Sequence, residues 1–134
     1  MDGMERKHDV EQLSSADHES TRREREAQGR LLDKGADQLE PRPWQQAAAP
    51  PSAVDLTQYA LWRSSELTPD ELLGALSLLP AARAEVESVE IGVLFAARNE
   101  GLTWAQIAQA MGFRSPQACQ QYVNRLSARQ DRRA

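Results

Sequence analysis

Between Arg114 and Arg129 the side chains with chemistry to offer are amides and guanidiniums: Arg114, Gln117, Gln120, Gln121, Asn124, Arg125 and Arg129. On a helix, residues three and four apart share a side, so the spacing of Gln117, Gln120, Gln121, Asn124 and Arg125 builds one polar face. Carboxamides pair bidentately with the edge of adenine, and an arginine reads guanine or holds phosphate. Ser115, at the expected start of that helix, offers a hydroxyl and nearby backbone N–H groups to a phosphate. Arg114 before the helix and Arg129, Arg132 and Arg133 beyond it add cations able to neutralise phosphates. The competing reading is a solvated helix face, because Gln and Arg are good helix formers.

Catalytic chemistry does not assemble. The two histidines, His8 and His18, fall in a stretch expected to be disordered, which cannot hold a catalytic geometry. Glu85, Glu87 and Glu90 are dense acids that read as a solvated helix face. Cys119 is the single cysteine, which excludes an internal disulfide, fits a reducing cytoplasm and reads as a small packing residue. Neither a glycine-rich phosphate loop nor a metal-ligand spacing is present, so no cofactor, no metal site and no enzymatic activity are expected.

The polar face needs elements to position it. Thr103 and Gln106 form a capping box that starts a helix at Trp104, running to about Met111. Ser115-Pro116 then starts the last helix, which continues to around Arg129. Ala108 is the small residue that would let the two helices cross closely, and Gly112, four residues on, suits a sharp turn needing positive φ. Ile107, Met111 and Phe113 would wedge beneath that turn, while Ala118, Tyr122 and Leu126, at four-residue spacing, would pack the last helix. Upstream, Thr68-Pro69-Asp70-Glu71 predicts a helix through Leu72, Leu73, Leu76 and Leu79 that stops near Pro80. A second runs from about Ala81 to Asn99, with Val86, Val89, Val93 and Ala96/Ala97 on one side, and Gly101 placed to end it. A shorter helix over 54–63 has Leu56, Tyr59, Ala60 and Trp62 to pack with. No alternating strand pattern occurs, so the fold class is all-α: a small helical domain ending in a helix-turn-helix at about 103–129, preceded by a disordered N-terminal arm.

The run LTWAQIAQAMGFRSPQACQQYVNRL resembles the small helix-turn-helix DNA-binding proteins common in actinobacteria, and in outline the homeodomain-like and sigma-region-4-like trihelical families. Members read W-x-x-I-A-x-x-(L/M)-G, then S-x-Q-A-x-x-Q-(R/Y). Trp104, Ile107, Ala108, Met111 and Gly112 match the first part; Ser115, Gln117, Ala118, Gln121 and Tyr122 match the second. The resemblance implies a transcriptional regulator or nucleoid-associated factor whose 115–129 helix reads the major groove of double-stranded DNA. Two features differ from the family pattern: Phe113-Arg114 makes the turn about one residue longer, and Pro116 stands where a basic residue is frequent.

Charge is distributed to match. The chain carries −4 overall, yet from Gly101 onward five arginines face one acid, while Glu66 to Glu100 holds seven acids against two arginines. Mean hydropathy of −0.64 is low for a packed chain, and before Val54 no apolar run exceeds two residues outside Ala47–Ala49. Residues 1–53 therefore read as a disordered or loosely helical arm with a Pro/Ala linker, followed by the helical domain over 54–134. Ser20–Leu32 has no apolar stripe wide enough to hold a helix on a core, and Trp44, between prolines, reads as an exposed linker aromatic or a short docking motif. No apolar stretch is long enough for a membrane and no signal-peptide core is seen, so a cytoplasmic, nucleoid location is expected. Expected partners are DNA, a second copy through the 81–99 helix, and a protein bound by the arm. The alternative function is a protein–protein interaction adaptor on the same trihelical fold.

Overall fold

The computed structural model describes residues 2–45 and 49–133, with side chains from residue 15 onward. His8 and most of the Ala-rich linker thus lie outside the described side chains. Among the described residues the regular elements are all helical: α1 Asp2–Asp33, α2 Ala53–Trp62, α3 Pro69–Ser77, α4 Leu79–Asn99, α5 Trp104–Met111 and α6 Pro116–Arg133. Short 3-10 turns occupy Ala36–Gln38 and Ser64–Glu66. The chain divides into two compact units, Met1–Ala82 and Arg83–Ala134, where a single helical domain over 54–134 was expected.

The first unit is organised by local caps and one narrow core. Ser52 caps α2 by accepting the Asp55 N–H, and Thr68 with Glu71 closes a reciprocal capping box on α3. Glu71 is used twice: its carboxylate also meets the Lys34 ammonium at 2.9 Å. The Thr68 backbone hydrogen bond first, and then Lys34, hold its pKa below the ordinary carboxylate value. The Tyr59 hydroxyl donates to the Lys34 carbonyl at 2.9 Å, tying the end of α1 to α2.

The stretch read as too polar to pack is packed. Ala27 and Leu31 of α1 and Ala36 just beyond are buried with Leu56, Tyr59, Ala60, Leu67 and Leu78. A narrow stripe suffices because its partner helix comes close: a Cβ on Gly74 of α3 would stand 3.4 Å from the Ala27 Cβ. Small residue against glycine brings two backbones together, so few side chains are needed to seal the contact. The leucines of α3 behave oppositely to expectation. Leu72, Leu73 and Leu76 remain exposed, α3 ends at Ser77, and the fully buried residue is Leu78. Pro80 then sits in the first turn of α4, where its missing N–H has no helical partner to lose. Trp62 is likewise exposed, and so is Trp44.

In the second unit the core is Leu94, Ile107, Ala108 and Cys119, ringed by Ala97, Trp104, Met111, Phe113 and Val123. The valine side of α4 is not part of it: Val86, Val89 and Val93 are exposed and Leu94 is buried. Successive helical residues turn by about 100°, which puts Leu94 roughly a quarter-turn from those valines. The apolar periodicity of α4 therefore names two different faces.

Leu31 tests whether α1 belongs to the first core. Leu31→Ala should destabilise the unit by about 2–4 kcal/mol in urea unfolding, while Leu39→Ala, at an exposed site, should change stability by less than about 0.5 kcal/mol. Equal, negligible effects would mean that α1 does not dock.

Candidate nucleic-acid interface

Local chemistry sets the α5–α6 corner. Thr103 Oγ1 accepts the Gln106 N–H at 3.1 Å and Gln106 Oε1 accepts the Thr103 N–H at 2.9 Å, closing the box that starts α5. The Trp104 ring is covered by the Arg98 guanidinium, 4.9 Å from its centroid, and Arg98 also donates to the Leu102 carbonyl at 2.9 Å. At the far end Gly112 takes φ 82°, with its N–H on the Gln109 carbonyl and the Phe113 N–H on the Ala108 carbonyl at 2.8 Å. These are the paired bonds of a Schellman stop. Gly101, at φ 85°, ends α4 in the same way, its N–H reaching Arg98 and the Leu102 N–H reaching Ala97.

Residues Gly112 to Ser115 connect the helices. Ser115 Oγ accepts the Ala118 N–H at 3.1 Å and so caps α6. Its oxygen is thus engaged, and Pro116 has no N–H, so the α6 N-terminus offers fewer donors to a phosphate than expected. Ala108 and Cys119, 2% and 0% exposed, are the small buried pair at the α5–α6 contact. Burial alone pushes the Cys119 thiol above its ordinary pKa, as befits a packing residue. Phe113 lies against Tyr122, ring centroids 5.2 Å apart.

The outer face of α6 collects most of the residues named from the sequence. Cys119 and Leu126 point inward, with Val123 half-buried beside them; Gln117, Gln120, Gln121, Asn124 and Arg125 are all exposed. Arg114, in the turn, is exposed next to them. Arg129 is placed differently: it lies on the flank and pairs with Glu87 of α4 at 3.7 Å, while Arg133 reaches the same carboxylate at 2.7 Å. Arg132 is exposed, and so is Asp131, the one acid of α6.

No protein-family model, curated protein or solved structure matches this chain. The site's character therefore rests on its own geometry, and the α4–α6 seam is its second half. Tyr122 donates to Glu90, 2.8 and 2.9 Å from the two carboxylate oxygens. Ser88 Oγ donates to Gln130 Oε1 at 3.1 Å, and Gln130 Nε2 reaches the Ala84 carbonyl at 3.4 Å. The acids read as a solvated face are thus largely drawn inward: Glu87 and Glu90 both face α6 and have partners there. Residues 83–134 hold seven arginines and five acids, a net +2, and two of those acids are occupied within the unit.

Tyr122 and Glu87 were not anticipated as site residues. Their pairings join positions 32 to 46 residues apart, which no local pattern announces. A signal existed in the spacing of Tyr122, Arg129 and Arg133, at intervals of seven and four along one side of α6.

Two outcomes follow. Gly112→Ala should cost about 1–2 kcal/mol in thermal or urea unfolding, because the space is open but the left-handed backbone disfavours any side chain. Tyr122 has a raised pKa, chiefly through its hydrogen bond to Glu90. The neutral phenol is the stabilised form, so its contribution is complete below its ordinary pKa of about 10 and is lost as pH rises through the raised value. Tyrosine titration by NMR should place Tyr122 above the free amino acid, and Glu90→Gln should remove most of that shift.

Proposed function

We propose that the Arg83–Ala134 unit binds double-stranded DNA, with α6 entering the major groove. The observation that carries this reading is the sorting of α6: exposed amides with Arg114 and Arg125 on one side, and the neighbouring acids paired away from it. Gln117, Gln121 and Asn124 are the base-reading side chains, with Gln120 at the edge of the face. Arg114 and Arg125 neutralise phosphates, and Arg125 also has the reach to read guanine. The engaged hydroxyl of Ser115 can still donate its proton to a phosphate oxygen. Arg129 contributes at the flank, reduced by its pairing with Glu87.

The resemblance to small actinobacterial helix-turn-helix proteins supports the same reading, as does the match of Gly112 to its turn position. The role is that of a small transcriptional regulator or nucleoid-associated factor acting at the nucleoid. One module makes few phosphate contacts, so useful affinity calls for a second copy or a second contacting segment.

A second reading, a protein-interaction adaptor, draws on the first unit. A groove of about 450 Å³ there is walled by Leu61, Leu72, Leu76 and Leu79, and Trp62 is exposed nearby on α2. That unit carries −6, which suits a protein partner better than nucleic acid.

Binding of the purified chain to a random duplex pool, across a salt series, separates these. Affinity should fall steeply with salt, and Arg114→Ala and Arg125→Ala should each lower the log–log slope by about 0.9. Gln121→Ala or Asn124→Ala should weaken binding to an enriched sequence by about 1–3 kcal/mol without altering the helical circular dichroism. Binding without sequence enrichment would make this a nucleoid-type factor. A folded protein with no affinity at low salt would leave the adaptor reading in its place.

A further inference from the structure

The valine side of α4 is left largely exposed within its own unit, with Val93 also bordering a groove against Ile107 and Met111 of α5. Val86, Val89 and Val93 are 57%, 66% and 64% exposed, and exposed Ala96 continues their line. Their spacing is three, four and three residues, the interval of a helix seam that meets another helix along its length. Gly92 lies beside this stripe in mid-helix, where glycine weakens a helix relative to alanine. Among the described residues, its own helix backbone and chain neighbours aside, no atom lies within 4 Å of where its Cβ would stand. A glycine with no internal neighbour, flanking three exposed valines, fits a backbone that approaches from outside.

We propose that this face, Val86, Val89, Val93 and Ala96 around Gly92, is a two-fold symmetric interface with a second copy of the chain, the two α4 helices running antiparallel. Charge decides the direction. A parallel pairing sets Arg83 beside Arg83 and Glu100 beside Glu100. An antiparallel pairing with Val89 opposite Val93 of the second copy places Val86 opposite Ala96. The same register brings exposed Arg83 to Asn99 and exposed Glu100 of the other helix. Glu100 is still helical enough for this geometry, since its N–H bonds the Ala96 carbonyl at 3.1 Å. All four apolar positions are then used twice, opposite charges meet at both ends, and Gly92 lies next to the two-fold axis. An isologous contact of this kind closes on itself and stops at two copies.

The pairing leaves α6 free. α6 holds α4 through Glu87, about 100° round the helix from Val86, and through Glu90, which borders the valine stripe; the amide face of α6 is turned away from these contacts. The proposal does not rest on the DNA reading, although two α6 helices in one particle would supply the second set of contacts that reading calls for.

Sedimentation equilibrium of the full chain, without DNA, tests it. Mass should rise from 14.9 kDa toward twice that value as concentration increases from about 1 to about 300 μM, the range for a small interface. Val93→Glu and Gly92→Leu should each weaken dimerisation at least about tenfold. Both positions are solvent-exposed, and unchanged circular dichroism confirms folding. Arg83→Glu and Glu100→Arg should each weaken it severalfold, and the double swap should restore it. A chain that stays at 14.9 kDa throughout, or a dimer indifferent to Val93→Glu, overturns the proposal. Rescue failing in the double swap, with both single swaps neutral, overturns the antiparallel register.

Discussion

Ala108 and Cys119 are both small and both buried in the core cluster of their unit, and their size sets how near α5 can come to α6. Close approach at that point lets Ile107 and Leu94 share one small core with them. A larger residue at either position would push the helices apart and open a gap that the short α5, at eight residues, has little other surface to fill. Gly112 makes the same constraint angular: its left-handed turn lets the chain leave α5 at once and return as α6. The outward aim of Gln117, Gln121 and Asn124 follows from this corner, since turning α6 about its axis would take Cys119 out of the core.

Electrostatics completes the arrangement. The acids of α4 would oppose an anionic ligand if they faced the same solvent as the amides. Tyr122 holds Glu90, and Arg129 and Arg133 share Glu87, so these carboxylates are spent on joining α4 to α6. The same contacts engage Arg129 and Arg133, which stay partly exposed, while Arg114, Arg125 and Arg132 are exposed on that end of the chain. A polar seam of this kind is worth less than apolar packing of equal area, but its partners are chosen by charge and reach and so define the rotation of α6.

The first unit solves a different problem, which is how a polar helix can dock at all. Ala27 meeting Gly74 lets α1 lie so near α3 that Leu31 and Ala36 are enough to seal the contact. Tyr59 and Lys34 then tie the end of α1 to α2 and to the α3 cap through Glu71. Leu72 and Leu76 of α3, which this packing leaves outside, form part of the wall of an apolar groove instead.

The sequence by itself determined what depends on a few neighbouring residues. The capping boxes at Thr68 and Thr103 and the stops at Gly101 and Gly112 are local contests between side chain and backbone, and each formed as its residues dictate. The all-helical class and the grouping of amides on one side of α6 follow from periodicity, which is also local. Only the tertiary structure decided which of two apolar faces α4 buries. Leu94 and the valines have equal claim by hydropathy, and the choice falls to whichever face α5 and α6 can match in shape and charge. It likewise decided that Glu87 and Glu90 turn inward, that Arg129 is partly taken up by Glu87, and that Ala27 and Leu31 join a core. Those outcomes rest on contacts between residues far apart in the chain, whose strength depends on distance and desolvation and is not specified by local spacing.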